Sequence, residues 1–236
     1  YLTIPGVNEP EAENRAQFVD DYLSAPQWMY HLYFMIAPLR KHAEMLEQHD
    51  DFAAAILRQQ ADDYEQTLLN AYPDNPLFNG NCTIPCEQDG HEPDSLSRNF
   101  PESLNHYYSQ KNPSIEDTLK LQIAFYRMCS HTEWKLKENR NRGNKEQELH
   151  ELQRLSLDIN HMQATGVTSP LVMMGYSLAN SCMAYYYEQM GDKQNMMYHN
   201  KQHEYALCEA YSLYPNIAEL KRRYAAAIDE TGRLFL

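Results

Sequence analysis

The chain has 236 residues, a formal net charge of −13, and ordinary shares of hydrophobic residues (43%) and charged residues (22%). This length and balance are typical of a globular protein with one large domain or two small ones. The acidic excess argues against nucleic-acid binding and against docking on anionic lipids, because both need a basic surface. No apolar run approaches the ~20 residues of a membrane span, so we expect no membrane insertion.

The first predicted elements are three helices that follow an irregular lead-in. Apolar residues recur at helical spacing over 12–23, 27–48 and 52–71, and only 8 glycines occur in the whole chain. Pro38 lies inside the second of these helices, where we expect a bend or a break because proline removes a backbone donor. Tyr72 and Pro73 end the third helix.

A region without helical periodicity follows, at residues 73–102, and holds five of the chain's twelve prolines. A loop of this length is either functional or a connection between two parts of a protein. We therefore divide the chain into an N-terminal helical half (1–75), a Pro/Gly-rich loop (76–101) and a C-terminal helical half (102–236).

The loop contains Cys82 and Cys86, two of the chain's five cysteines. Two thiols four residues apart could form a disulfide in an oxidising compartment, which would indicate a periplasmic or secreted protein. Two alternatives stay open: zinc binding together with His91, and free thiols in a cytoplasmic protein. The other three cysteines lie in helical patterns, which is typical of small buried side chains.

The C-terminal half shows helical periodicity almost throughout, with Ser114 as the cap of its longest predicted helix. No stretch alternates with the period of two that a strand requires. The predicted helices cover residues 100–110, 115–141, 145–162, 171–190, 193–213 and 218–236. The sequence therefore predicts an all-α protein, built of antiparallel helical hairpins or as an irregular helical bundle.

One pattern recurs in both halves of the chain. Residues 47–73 and 188–215 share a Glu-Gln pair, an Asp, a Tyr and a terminal Tyr-Pro at nearly equal spacing. The segment MAYYYEQMGD (183–192) resembles the first helix of a tetratricopeptide repeat, in which a large apolar residue, a small residue and an aromatic residue precede a Gly-Asp turn. The following helix is about two turns longer than the 34-residue repeat allows.

This resemblance implies that 171–215 form a repeat-like hairpin in a right-handed helical array. In such arrays the first helices of successive hairpins line a concave binding face, and the matching positions are Ser181, Tyr185, Glu188 and Gln189. The resemblance therefore predicts a non-enzymatic module that binds a protein or peptide partner. The acidic composition favours a basic or neutral partner.

Two other functions stay open, namely a helical-bundle enzyme or small-ligand-binding protein with a Tyr/His-lined pocket, and a secreted structural or effector protein. His199 and His203 lie four residues apart on one helix, so both could face one metal ion. The HEXXH motif and the repeated Glu-x-x-His pairs of di-iron bundles are absent, as are nucleophile-elbow and phosphate-loop motifs. We therefore predict no metal, no cofactor and no catalytic residues.

Overall fold

The computed structural model describes residues 22–81 and 94–234, without the side chains of 94–99, 230, 231, 233 and 234. Helices and short turns make up these ranges, and no strand occurs in them, which confirms the predicted all-α class. The helices of this part are α1 (Gln27–Leu46), α2 (Asp51–Ala71), α3 (Pro76–Asn79), α4 (Asp94–Ser109), α5 (Ile115–Asn141), α6 (Lys145–Ala164), α7 (Pro170–Gln189), α8 (Lys193–Leu213) and α9 (Ala218–Leu234). Within the described ranges, no helix has the length and apolarity needed to cross a membrane.

The structure bears on two predictions about prolines. α1 continues through Pro38 without a break, and this residue lies on the exposed face of the helix. The predicted bend at Pro38 stays a prediction. The long loop is also shorter than predicted, since residues 76–79 form α3 and α4 begins at Asp94 and contains Pro101. Cys82 and Cys86 lie outside the described residues, as does the predicted helix 12–23 except for its last two positions.

Side-chain caps set the starts of several helices. At α5, Ser114 and Asp117 form a reciprocal capping box, and the hydrogen bonds from Ser114 lower the pKa of Asp117. At α8, Asp192 accepts a hydrogen bond from the backbone N–H of Asn195 at 3.1 Å. Gly191 adopts the left-handed φ of 72° that reverses the chain between α7 and α8.

The buried side chains form two hydrophobic clusters. In the first cluster, Tyr33 of α1 packs against Tyr214 after α8, with ring centroids 5.5 Å apart, so residues before and after the proline-rich region share one core. In the second cluster, Phe100 of α4 packs on Phe125 of α5, with ring centroids 5.4 Å apart. The second cluster holds the faces of α4, α5, α6 and α7 together.

A buried ionic network joins α1 and α2 to the end of α8. Arg40 is only 6% exposed and places Nη2 2.6 Å from Glu65 Oε2 and 2.5 Å from Asp62 Oδ1. Arg40 Nη1 also donates to the backbone carbonyl of Leu213. Glu65 accepts a second hydrogen bond from Asn216 Nδ2 at 3.0 Å. Burial raises the pKa of Glu65, and the Arg40 charge opposes this shift.

Candidate functional site

α7 lies between α5 and α8 and contacts both. Its contacts with α8 follow an antiparallel order, because Ser177 meets His203 whereas Asn180, further along α7, meets His199, earlier on α8. Ala184, a residue of the repeat-like pattern, is buried. The arrangement of these helices as a tetratricopeptide-like array stays a prediction. α7 is bordered by one groove on its α5 side and one on its α8 side.

The first groove, called the α5–α7 groove here, is a cavity of about 280 Å³ between the C-terminal parts of the two helices. α5 contributes mainly charged side chains, whereas α7 contributes a hydroxyl, a thiol and a phenol ring. The residues that line this groove are Glu133, Lys137, Arg140, Asn141, Ser181, Cys182 and Tyr185.

Arg140 and Tyr185 form the most ordered contact of the α5–α7 groove. The guanidinium carbon of Arg140 lies 3.9 Å from the centroid of the Tyr185 ring, which is a cation–π geometry. Arg140 Nε donates to Glu148 Oε1 of α6 at 2.5 Å, and Glu148 is buried. The carboxylate therefore holds the guanidinium in place over the ring, while Tyr185 stays 43% exposed.

The structure brings together two of the four residues that the repeat resemblance nominated. Ser181 and Tyr185 both line the α5–α7 groove, whereas Glu188 and Gln189 are exposed near the end of α7 and line neither of the two grooves. Sequence reasoning missed Arg140, whose segment looks like a solvated helix end. Its contact with Tyr185 depends on how α5 packs against α7, and no spacing in the sequence encodes that.

The basic residues around the α5–α7 groove already have carboxylate partners. Lys137 Nζ lies 2.9 Å from Glu133, and Arg142 lies 2.5 Å from Glu138. Together with the Arg140–Glu148 pair, these contacts give three of the basic residues in the segment 135–145 a carboxylate partner. The groove therefore carries balanced charge and does not form a strongly cationic patch.

The thiols near α7 have the properties of packing groups. Burial raises the pKa of Cys182 to about 12, and it raises the pKa of Cys129 in the same core cluster as well. A thiol at neutral pH is a poor nucleophile, because the thiolate is the reactive form. The three cysteines of the described residues, which include Cys208, are free.

The second groove, called the α7–α8 groove here, has a volume of about 270 Å³ and is also bordered by the loop after α6. Its lining is mostly uncharged, with two tyrosines, several amides and one carboxylate. The residues that line it are Gln163, Gly166, Val167, Thr168, Met173, Tyr176, Asn180, Gln202, Tyr205, Ala206 and Glu209.

His199 and His203 bind α7 through their Nδ1 atoms. His199 Nδ1 lies 2.9 Å from Asn180 Oδ1, and His203 Nδ1 lies 3.0 Å from the Ser177 carbonyl, so both nitrogens act as donors. The His199 ring also stacks on Tyr187, and burial lowers the pKa of His199. In residues 22–81 and 94–234, no group of three or more His, Cys, Asp or Glu side chains could hold a metal ion. Through these contacts, both imidazoles contribute to the packing of α8 on α7.

The chain matches no protein-family model, no curated protein and no solved structure.

Proposed function

We propose that this protein is a non-enzymatic helical module that binds a peptide segment of a partner protein in the α5–α7 groove. The observation that carries this proposal is the half-exposed Tyr185 ring held against the Arg140 guanidinium at 3.9 Å. Tyr and Arg are enriched among the residues that dominate binding energy at protein interfaces. Here the two lie together at a concave site.

The site is organised before any partner arrives. Glu148 fixes the guanidinium of Arg140, and the guanidinium in turn covers one region of the Tyr185 ring. A side chain that is already ordered loses little conformational entropy on binding, so more of the contact energy becomes affinity. Ser181 and Asn141 line the same groove and add hydrogen-bonding groups suited to a peptide backbone.

The charges of the site indicate the kind of peptide. Because Lys137 and Arg140 are each paired with a glutamate, the groove has no unbalanced cation to select an acidic ligand. The chain as a whole carries a net charge of −13, which repels acidic partners at long range. The partner peptide is therefore neutral or basic, with an apolar or aromatic side chain that packs on Tyr185.

The test is selection of a phage-displayed random peptide library against the full chain. Tyr185→Ala is expected to weaken the binding of the selected peptides by about tenfold or more, because an interface hot spot is lost. Tyr198→Ala is the matched control, because Tyr198 is 56% exposed on α8 and lines neither groove. Peptides that bind both variants equally, or a library that yields no binder, would contradict the proposal.

A further inference from the structure

The α7–α8 groove differs from the α5–α7 groove in its chemistry. Among the residues that line it, Glu209 is the one with a charged side chain, and Tyr176 and Tyr205 line the same cavity. A carboxylate next to aromatic rings is a suitable environment for a cation, since the π face and the carboxylate both attract positive charge. The residues around this groove therefore favour a positively charged ligand.

Glu209 already binds an ammonium group in this structure. Lys41 Nζ of α1 lies 3.1 Å from Glu209 Oε1, and the Lys41 side chain is 47% exposed. An exposed pair of this kind contributes little stability and exchanges readily. A carboxylate has about four lone-pair positions, so Glu209 can accept a second donor or exchange Lys41 for another cation.

The two tyrosines of the groove differ in exposure. Tyr176 is half-buried and packs edge-on against Phe125, with ring centroids 5.2 Å apart, so its ring is fixed by the core. Tyr205 is 63% exposed. Asn180 is already engaged, because its Oδ1 contacts His199 and its Nδ2 donates to the Tyr176 carbonyl at 2.9 Å. Recognition therefore falls mainly to Glu209 and the two rings.

We propose that the α7–α8 groove is a second binding site, which takes the guanidinium or ammonium group of a basic side chain. Glu209 supplies the opposite charge, and Tyr205 and Tyr176 supply the aromatic faces. The net charge of −13 favours the approach of such a ligand from solution. This site is separate from the α5–α7 groove, so it does not depend on the function proposed for that groove.

The probe for this site is Nα-acetyl-arginine amide, titrated into the ¹⁵N-labelled full chain and followed by NMR. Nα-acetyl-citrulline amide is the matched control ligand, because it has nearly the same shape and no charge. We expect the arginine probe to shift resonances of the α7–α8 groove and to bind roughly three- to thirtyfold more tightly than the citrulline probe. Equal binding of the two probes, or no shift around Tyr205, would overturn the proposal.

Two variants distinguish binding at this site from a general electrostatic attraction to the acidic protein. Glu209→Gln is expected to weaken binding of the arginine probe by roughly three- to thirtyfold. Glu204→Gln removes the same charge from the same helix outside the groove, and its affinity for the probe should stay within about twofold of that of the original protein. Tyr205→Leu, at an exposed position, should also weaken the probe without affecting the fold. Equal losses in Glu209→Gln and Glu204→Gln would show that only the net charge of the protein attracts the probe, and would overturn the proposal.

Discussion

Replacing Arg40 with Met is expected to lower the free energy of unfolding by about 3–5 kcal/mol, the usual result of leaving one partner of a buried ion pair without the other. Glu65 is 2% exposed and would keep only its hydrogen bonds from Asn216. Urea unfolding followed by circular dichroism measures this loss. Met is close to Arg in volume, so the effect reports the missing charge and hydrogen bonds more than a cavity.

Arg58→Met is the control for this prediction. Arg58 pairs with Glu47 at the surface, where both side chains are about half exposed, and such pairs contribute about 0–1 kcal/mol. If the two variants lost equal stability, the network around Arg40 would not be the link between α1, α2 and the end of α8 that its geometry indicates.

Lowering the pH should reduce the difference in the free energy of unfolding between the Arg40→Met variant and the original protein. Burial raises the pKa of Glu65 in the folded state, and removal of the Arg40 charge takes away the main opposing effect. The native state then binds more protons than the unfolded state between the ordinary glutamate pKa and the raised one. Stability is therefore lost as the pH rises through that window and regained as the pH falls. Unfolding at pH 7 and pH 5 tests this, and a variant equally unstable at both would contradict it.

The second large effect is expected at Gly175 of α7, which packs against Phe125 of α5. A Cβ atom at this position would lie 2.7 Å from Cε1 of Phe125. Phe125 is fully buried between Phe100 and Tyr176, so its ring has no space to move into. Gly175→Ala should therefore destabilise the protein by about 1–3 kcal/mol through overpacking, despite the better helix propensity of alanine.

Gly232→Ala is the matched control for this prediction, because Gly232 also lies in a helix and a Cβ there would meet no atom within 4 Å. This substitution should stabilise the protein by up to about 1 kcal/mol. Thermal unfolding of the two variants should give melting temperatures that move in opposite directions. A higher melting temperature for Gly175→Ala would mean that α5 and α7 are further apart than described.

The helices themselves were largely predictable, because their signals are local. α8 covers Lys193–Leu213 as predicted, since a capping aspartate precedes it and a Tyr-Pro pair follows it. The predicted helix 100–110 begins later than α4, which starts at Asp94 and contains Pro101. α1 also contains a proline, Pro38, as its predicted range 27–48 does.

The two grooves were less predictable than the helices. The repeat pattern placed Ser181 and Tyr185 on one helix, but the contact with Arg140 depends on the packing of α5 against α7. The Glu209–Lys41 pair joins residues 168 positions apart, and no local pattern relates them. Net charge alone predicts an acidic protein throughout, whereas the ion pairs give the charged residues of both grooves partners of opposite sign.

The hydrogen bond from Arg40 to the Leu213 carbonyl joins residues 173 positions apart in the chain. This separation affects how the protein folds during its synthesis. During synthesis α1 and α2 leave the ribosome long before the residues that complete their buried network have been translated. At ~5–20 residues per second, this interval lasts on the order of ten seconds or more. For that time Tyr33 and Arg40 lack their distant partners, so α1 and α2 cannot complete their packing until α8 and Tyr214 have been made.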